Sequence, residues 1–135
     1  MDKLIRTDLA VAAERALLVC VETPHRERDP HDPLGELRSL AKTAGAVVVD
    51  EMLARRQTIN PTYYVGSGKA EEIGRRAAAA EADVVIFDND LSPAQIRDLE
   101  EIVSRKVLDR SELILDIFAG RARTHEARLQ VELAQ

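Results

Sequence analysis

Val84-Val85-Ile86-Phe87-Asp88-Asn89-Asp90-Leu91-Ser92-Pro93-Ala94-Gln95-Ile96 holds a complete strand-to-helix transition. The run Val84 to Phe87 is too apolar for a half-exposed position and reads as a strand covered on both faces. Ser92 is an N-cap, Pro93 occupies the first helical position, and Gln95 completes a capping box. Leu91 and Ile96 are placed as a hydrophobic staple, and Ile96, Leu99 and Val103 form the buried stripe of the helix. Between strand and helix lie Asp88 and Asp90. They either bind a divalent cation or serve in acid/base chemistry, or they solvate a strand end and favour the positive end of the next helix.

The same alternation continues in both directions. Downstream, Arg105-Lys106 closes the helix and Val107-Leu108 is a short strand. Asp109 caps another helix with Glu112 three residues on, and Leu108 and Leu113 are its staple pair. Leu113, Ile114, Ile117 and Phe118 form its apolar face. Gly120 is expected to interrupt it, and Thr124 to cap a final helix on which Leu129 and Leu133 share a face. The chain stops at Gln135 in mid-pattern, so either a longer protein or another chain packed on this end is expected. Upstream, Ala16 to Val21 is a second fully apolar strand. Glu22 to Pro33 is a polar loop with three prolines, and its His25 and His31 are too isolated for a metal site. Residues 34–44 show helical spacing (Leu34, Leu37, Leu40, Ala41, Ala44), and Gly45 ends the helix. Ala46 to Val49 is a strand. Ala70, Ile73, Ala77 and Ala80 line a helix that starts near Lys69, with Arg75-Arg76 as a solvated pair. Met1 to Ala13 gives no firm signal and reads as frayed.

Alternating strands and helices predict an α/β fold: a small parallel sheet of about four strands with helices on both faces, followed by the start of a helical segment. Right-handed crossovers make 2-1-3-4 the simplest order. Ligands then favour the carboxyl ends of the strands, between Glu22-Thr23 and Asp88-Asn89.

One connection differs from the rest. From Met52 through Ala70 there is no Asp or Glu, although the formal net charge of the 135-residue chain is -5. The window holds Arg55, Arg56 and Lys69, and both tyrosines of the protein, Tyr63 and Tyr64. Gly66-Ser67-Gly68 is expected to bend the backbone into the next helix, either as a phosphate-holding turn or as a tight turn with Ser67 as N-cap. A P-loop is excluded: the residue five before Gly68 is Tyr63 rather than Gly, and Ala70 follows Lys69 where a hydroxyl is needed. The tyrosines either stack on bases or pack in the core. An acidic chain meets RNA only through such local basic patches.

Length fits one domain. The apolar runs fall far short of the roughly 20 residues of a membrane span, and Met1 to Arg6 lacks the long apolar stretch expected of a signal peptide. Cys20, the single cysteine, reads as a buried thiol. These features lead us to expect a cytoplasmic protein.

Three groups of residues carry a resemblance. The first is Tyr64-Val65-Gly66-Ser67-Gly68-Lys69 with Glu71-Glu72. The second is Phe87-Asp88 through Leu91-Ser92-Pro93-Ala94-Gln95, with Arg97 and Leu99-Glu100. The third joins Asp109-Arg110, Leu113-Ile114-Leu115-Asp116-Ile117-Phe118-Ala119, Arg121-Ala122-Arg123-Thr124 and Leu129-Gln130-Val131-Glu132-Leu133-Ala134-Gln135. Together they resemble HflX, the ribosome-associated GTPases, over roughly residues 15–135. Ser111, Gly120 and Ala127 depart from the family pattern.

The resemblance implies a flexible segment at 1–14, an HflX-type amino-terminal domain at 15–120, and at 121–135 the start of a helical linker leading to an absent GTP-binding domain. GTP and Mg2+ are implied for that domain. For this chain no cofactor, metal or catalytic residue is expected, and no GTP hydrolysis, since it also lacks the guanine-reading motif. The implied partners are the large ribosomal subunit with its RNA and the GTP-binding domain itself; the family splits or rescues stalled ribosomes. Candidate RNA-binding residues are Arg55, Arg56, Tyr63, Tyr64 and Lys69, extended by Arg121, Arg123 and Arg128. The alternatives are an ATP-binding domain that remodels ribosomal RNA and a purely structural domain that docks on the GTPase module through Leu129 and Leu133.

Overall fold

The computed structural model describes residues 9–24 and 28–134, with side chains on the last helix described to residue 122. The elements are β1 (Arg15–Glu22), α1 (Gly35–Thr43), β2 (Val47–Arg55), α2 (Ser67–Ala79), β3 (Val84–Phe87), α3 (Pro93–Val103), β4 (Lys106–Leu108) and α4 (Arg110–Ala134). All strand pairs are parallel, and the order is β2-β1-β3-β4, as the alternation predicts.

Each strand sends alternate residues to opposite faces. Leu17, Val19 and Val21 of β1 join Val85 and Phe87 of β3 under α2 and α3, where Ile73, Ile96 and Leu99 close one core layer. Ala16, Leu18 and Cys20 join Val84 and Ile86 under α1 and α4, where Leu37 and Leu113 close the other. A strand buried on both faces must be apolar throughout, which is why β1 and β3 are so plain in the sequence.

The helix starts follow the cap chemistry. Ser92 Oγ accepts from Gln95 N at 3.1 Å, and Gln95 Oε1 accepts from Ser92 N at 2.8 Å. Asp109 Oδ1 accepts from Glu112 N at 2.9 Å, and Asp109 N donates to Glu112 Oε1 at 3.3 Å. Asp109 Oδ2 also accepts from Leu91 N at 3.0 Å, tying the start of α4 to the turn after β3.

Five expectations need correction. The strand predicted at 46–49 runs from Val47 to Arg55. Asp50 and Glu51 sit inside it because each is held by an arginine from the helix over its own face: Arg76 of α2 for Asp50, Arg38 of α1 for Glu51. Arg76 is therefore a paired residue and not part of a solvated pair. The N-cap of α2 is Gly66, extended and without a side-chain bond, and Ser67 is the first helical residue. The left-handed residue of that turn is Tyr64, at φ 66. Gly120 and Thr124 lie within one continuous helix, since a single glycine costs only about 1 kcal/mol in a helix interior. Finally, the segment 9–13 is anchored to the domain: Val11 is fully buried, Leu9 packs against the same core, and Ala13 N donates to Gly45 O at 2.8 Å.

Candidate nucleic-acid interface

The carboxyl ends of β1, β2 and β3 meet at one edge of the molecule. Asp88, the residue after β3, is almost fully buried there. Burying a carboxylate is costly unless it is paired, and this one is paired twice. Arg28 Nε donates to Asp88 Oδ2 at 2.6 Å, and Arg110 Nη1 donates to Oδ1 at 2.9 Å. Arg110 also bonds Glu36 of α1. Cys20 Sγ donates to Asp88 Oδ2 at 3.7 Å. Burial, with the Asp88 carboxylate beside it, pushes the Cys20 thiol up to about 11. Asn89 extends the sheet by a side chain: its Oδ1 accepts from Val21 N and its Nδ2 donates to Val21 O, each at 3.0 Å. Asp90 Oδ1 accepts from Ser111 Oγ at 2.6 Å.

Asp88 and Asp90 are thus committed to different structural partners. Among the described residues no group of three His, Cys, Asp or Glu converges as a metal site. His31 N donates to Asp29 Oδ1 within a loop turn; His25 lies outside the described residues.

The acid-free window wraps the same edge. Arg55, at the end of β2, is largely exposed, and its Nε lies 3.3 Å from Glu22 Oε1. Arg56 N donates to Glu22 O at 2.9 Å, and Arg56 Nε donates to Thr58 O at 3.4 Å. Its guanidinium lies over Gly66, where a Cβ would meet Nη1 at 2.8 Å. Among the described residues Arg56 has no carboxylate partner. Lys69, in the first turn of α2, pairs with Glu72 at 3.0 Å.

The intervening loop is stiffened by Asn60. Its Oδ1 accepts from Thr62 N and Tyr63 N, both at 2.9 Å, and its backbone pairs with Tyr64 in both directions. Gln95 Nε2 reaches Asn60 O at 3.4 Å and pins the loop to the start of α3. Tyr64 is buried in the α2/α3 core layer, and Tyr63 is half-buried against it. Core packing therefore accounts for Tyr64, which has no open face for a base.

An open groove of ≈ 450 Å³ lies between the β1 and β2 ends, bounded by Thr23, Pro24, Pro30, Gln57, the arginines Arg28, Arg55 and Arg56, and one carboxylate, Glu22. Arg121 does not join this patch. It lies over Phe118 at 5.8 Å on α4, whose Leu113 packs on the opposite face of the sheet from α2. The side chains of Arg123 and Arg128, and of Leu129 and Leu133, lie outside the described residues.

The sequence reading missed Arg28, Arg110 and Gln57. Arg110 carried one signal, its place directly after a capping aspartate, where a cation in a first helical turn is unfavourable without an acidic partner. Arg28 carried none.

A parallel α/β domain with its polar groups gathered at the carboxyl edge defines the class. The model of the GTP-binding GTPase N-terminal family matches residues 31–119, and the chain belongs to that family. It corresponds to the amino-terminal part of the HflX GTPases. It is 48% identical over 135 residues to GTPase HflX of Lacrimispora saccharolytica, covering all of this chain and 31% of that protein. It is 48% identical over 124 residues to GTPase HflX of Escherichia coli strain K12, covering 92% of this chain and 29% of that protein. The chain thus spans under a third of the length of these curated relatives. Among solved structures, the SsGBP–GDP complex aligns with TM-score 0.62 and 24% identity, over 90% of this chain and 33% of that one. A GTP-binding protein of Sulfolobus solfataricus, in complex with GDP, aligns with TM-score 0.56 and 19% identity, over 78% and 30%. These two likenesses show the fold.

Proposed function

We propose that the chain is the RNA-contacting amino-terminal domain of a cytoplasmic GTPase that associates with the large ribosomal subunit and splits or rescues stalled ribosomes. In this reading residues 15–120 form the contacting domain. Residues 121–135 begin a helical linker to a GTP-binding domain that holds GTP and Mg2+, and this chain does not hydrolyse GTP. The observation that carries the reading is the acid-free window folded onto one edge, with Arg55 exposed and Arg56 half-buried there. Lys69 adds a third cation. Tyr63 supplies the half-exposed ring, and Arg121, Arg123 and Arg128 act separately, along α4.

The test is cosedimentation of the chain with large ribosomal subunits, with and without ATP, across a salt series. Three phosphate contacts give a log–log slope of very roughly -2 to -3. The folded Arg55→Ala/Arg56→Ala/Lys69→Ala variant should lose most of the binding and the slope. Unchanged affinity would remove the patch from the interface. ATP-stimulated binding would favour the alternative of an ATP-binding, RNA-remodelling domain, although Asp88 and Asp90 are already engaged by protein groups.

A second reading has an observation of its own. Leu115 and Phe118 of α4 are half or more exposed, one turn apart. That apolar face supports a docking role toward the GTPase module. Mixing the chain with the isolated GTP-binding domain of a relative, and repeating with Phe118→Ser, tests it.

A further inference from the structure

We propose that the groove between the ends of β1 and β2 seats one unpaired nucleotide of a single-stranded RNA; this rests on the RNA-contacting role above and assigns it a base-binding subsite. The groove volume of ≈ 450 Å³ lies within the roughly 300–1,000 Å³ typical of small-ligand sites. Its walls divide by chemistry. Pro24 and Pro30 bring apolar rings without backbone donors, which suit the flat face of a base. Thr23 and Gln57 bring a hydroxyl and an amide, donors and acceptors that suit a base edge. Arg55 and Arg56 stand at the β2 side, where the sugar-phosphate chain passes.

Charge selects the ligand class. Arg28 is held by Asp88 at 2.6 Å. Arg55 faces Glu22 at 3.3 Å; the arginine is largely exposed and Glu22 largely buried, where Glu22 Oε2 also accepts from Arg28 N, so Arg55 reaches a phosphate while it keeps Glu22 neutralised. Arg56 alone has no carboxylate partner among the described residues. Among the described residues the groove therefore has about one cation to spare, which matches a phosphodiester. It does not match the several charges of a nucleoside triphosphate, which also brings a metal ion that Asp88 is not free to hold. A duplex keeps its bases stacked and cannot offer one to a groove.

The experiment uses the chain as it stands, a fluorescein-labelled oligouridine, and an abasic ribose-phosphate strand of equal length, both read by anisotropy. The Thr23→Ala/Gln57→Ala variant touches none of the hydrogen bonds that hold the loops. It should bind oligouridine at least about fivefold more weakly, with binding of the abasic strand unchanged. Equal affinity of the wild-type chain for the two strands overturns the base site. So does a groove variant that binds oligouridine like the wild type, or displacement of oligouridine by Mg-ATP that requires Thr23 and Gln57. In those cases the loss of abasic-strand binding in Arg55→Ala/Arg56→Ala would still uphold RNA contact. If that variant keeps full binding of both strands, the RNA-contacting role itself fails.

Discussion

Arg76 of α2 grips Asp50 of β2 with two hydrogen bonds, Nε to Oδ2 at 2.9 Å and Nη2 to Oδ1 at 2.6 Å, and the same Nη2 donates to the Glu51 carbonyl at 3.1 Å. A helix thereby covers part of the backbone of an edge strand, which is otherwise a template for unwanted pairing.

The Asp50 clamp predicts an acid limb in stability. The Arg76 guanidinium holds the Asp50 carboxyl below its ordinary 3.8. A carboxyl with a depressed folded-state value stabilises the fold above the unfolded value, and that contribution is lost as pH falls below about 4 toward the folded one. Both groups are partly exposed, so the contribution is at most about 1 kcal/mol. Asp50→Asn should lower the urea midpoint at neutral pH and converge with the wild type in acid. Curves that stay parallel at every pH would contradict this.

Asp88 is more demanding. Replacing it with Asn leaves Arg28 and Arg110 facing a neutral group. The expected loss is about 2–4 kcal/mol, toward the lower end because both arginines still reach solvent. Urea unfolding with an unchanged slope measures it.

The strand that the sequence hid is β2, and the reason is physical. Asp50 and Glu51 break the apolar run, so Met52 to Arg55 reads as the start of a loop. Only the arginines of two separate helices make those acids acceptable, and nothing local announces them. Strands β1 and β3 were legible because burial on both faces leaves no choice of residue. The capping boxes at Ser92 and Asp109 were legible because they are closed within four residues. The Asp88 cluster was not, since its arginines arrive from 60 and 22 residues away. The basic edge was readable as a window without acids, but the groove beside it depends on Pro24, Pro30 and Gln57 meeting across two loops.

Three glycines should respond differently to Ala. At Gly66 the new Cβ meets only the far end of Arg56, 2.8 Å away. Stability should change by less than about 0.5 kcal/mol, while the displaced guanidinium weakens RNA binding. At Gly74 the Cβ presses on backbone, Ile102 O at 3.3 Å and Val103 Cα at 3.4 Å, so α2 and α3 must part at a cost of about 1–2 kcal/mol. At Gly68 nothing lies within 4 Å, and the helix should gain up to about 1 kcal/mol. Thermal melts of the three variants give the ranking.

Tyr63 and Tyr64 should separate cleanly. Tyr64→Ala opens a cavity under α2 and should cost about 3 kcal/mol. Tyr63→Ala should cost under about 1.5 kcal/mol and be read mainly in RNA affinity. A Tyr64→Ala chain as stable as the wild type would mean that the ring is not the core anchor its burial indicates.

β1 is the first strand among the described residues and lies inside the sheet, with Arg15 opposite Val47 and Ala16 opposite Val84. That position sets a timetable during synthesis. At about 5–20 residues per second, several seconds pass before β2 has been made, and several more before β3. A hairpin would have found its partner within about 10 μs. Ala16 to Val21, six uncharged apolar residues, must wait as a nascent segment with no local strand to pair with. A product released between β2 and β3 would carry that segment with one side unpaired, and aggregation of a stalled or truncated translation product would begin there.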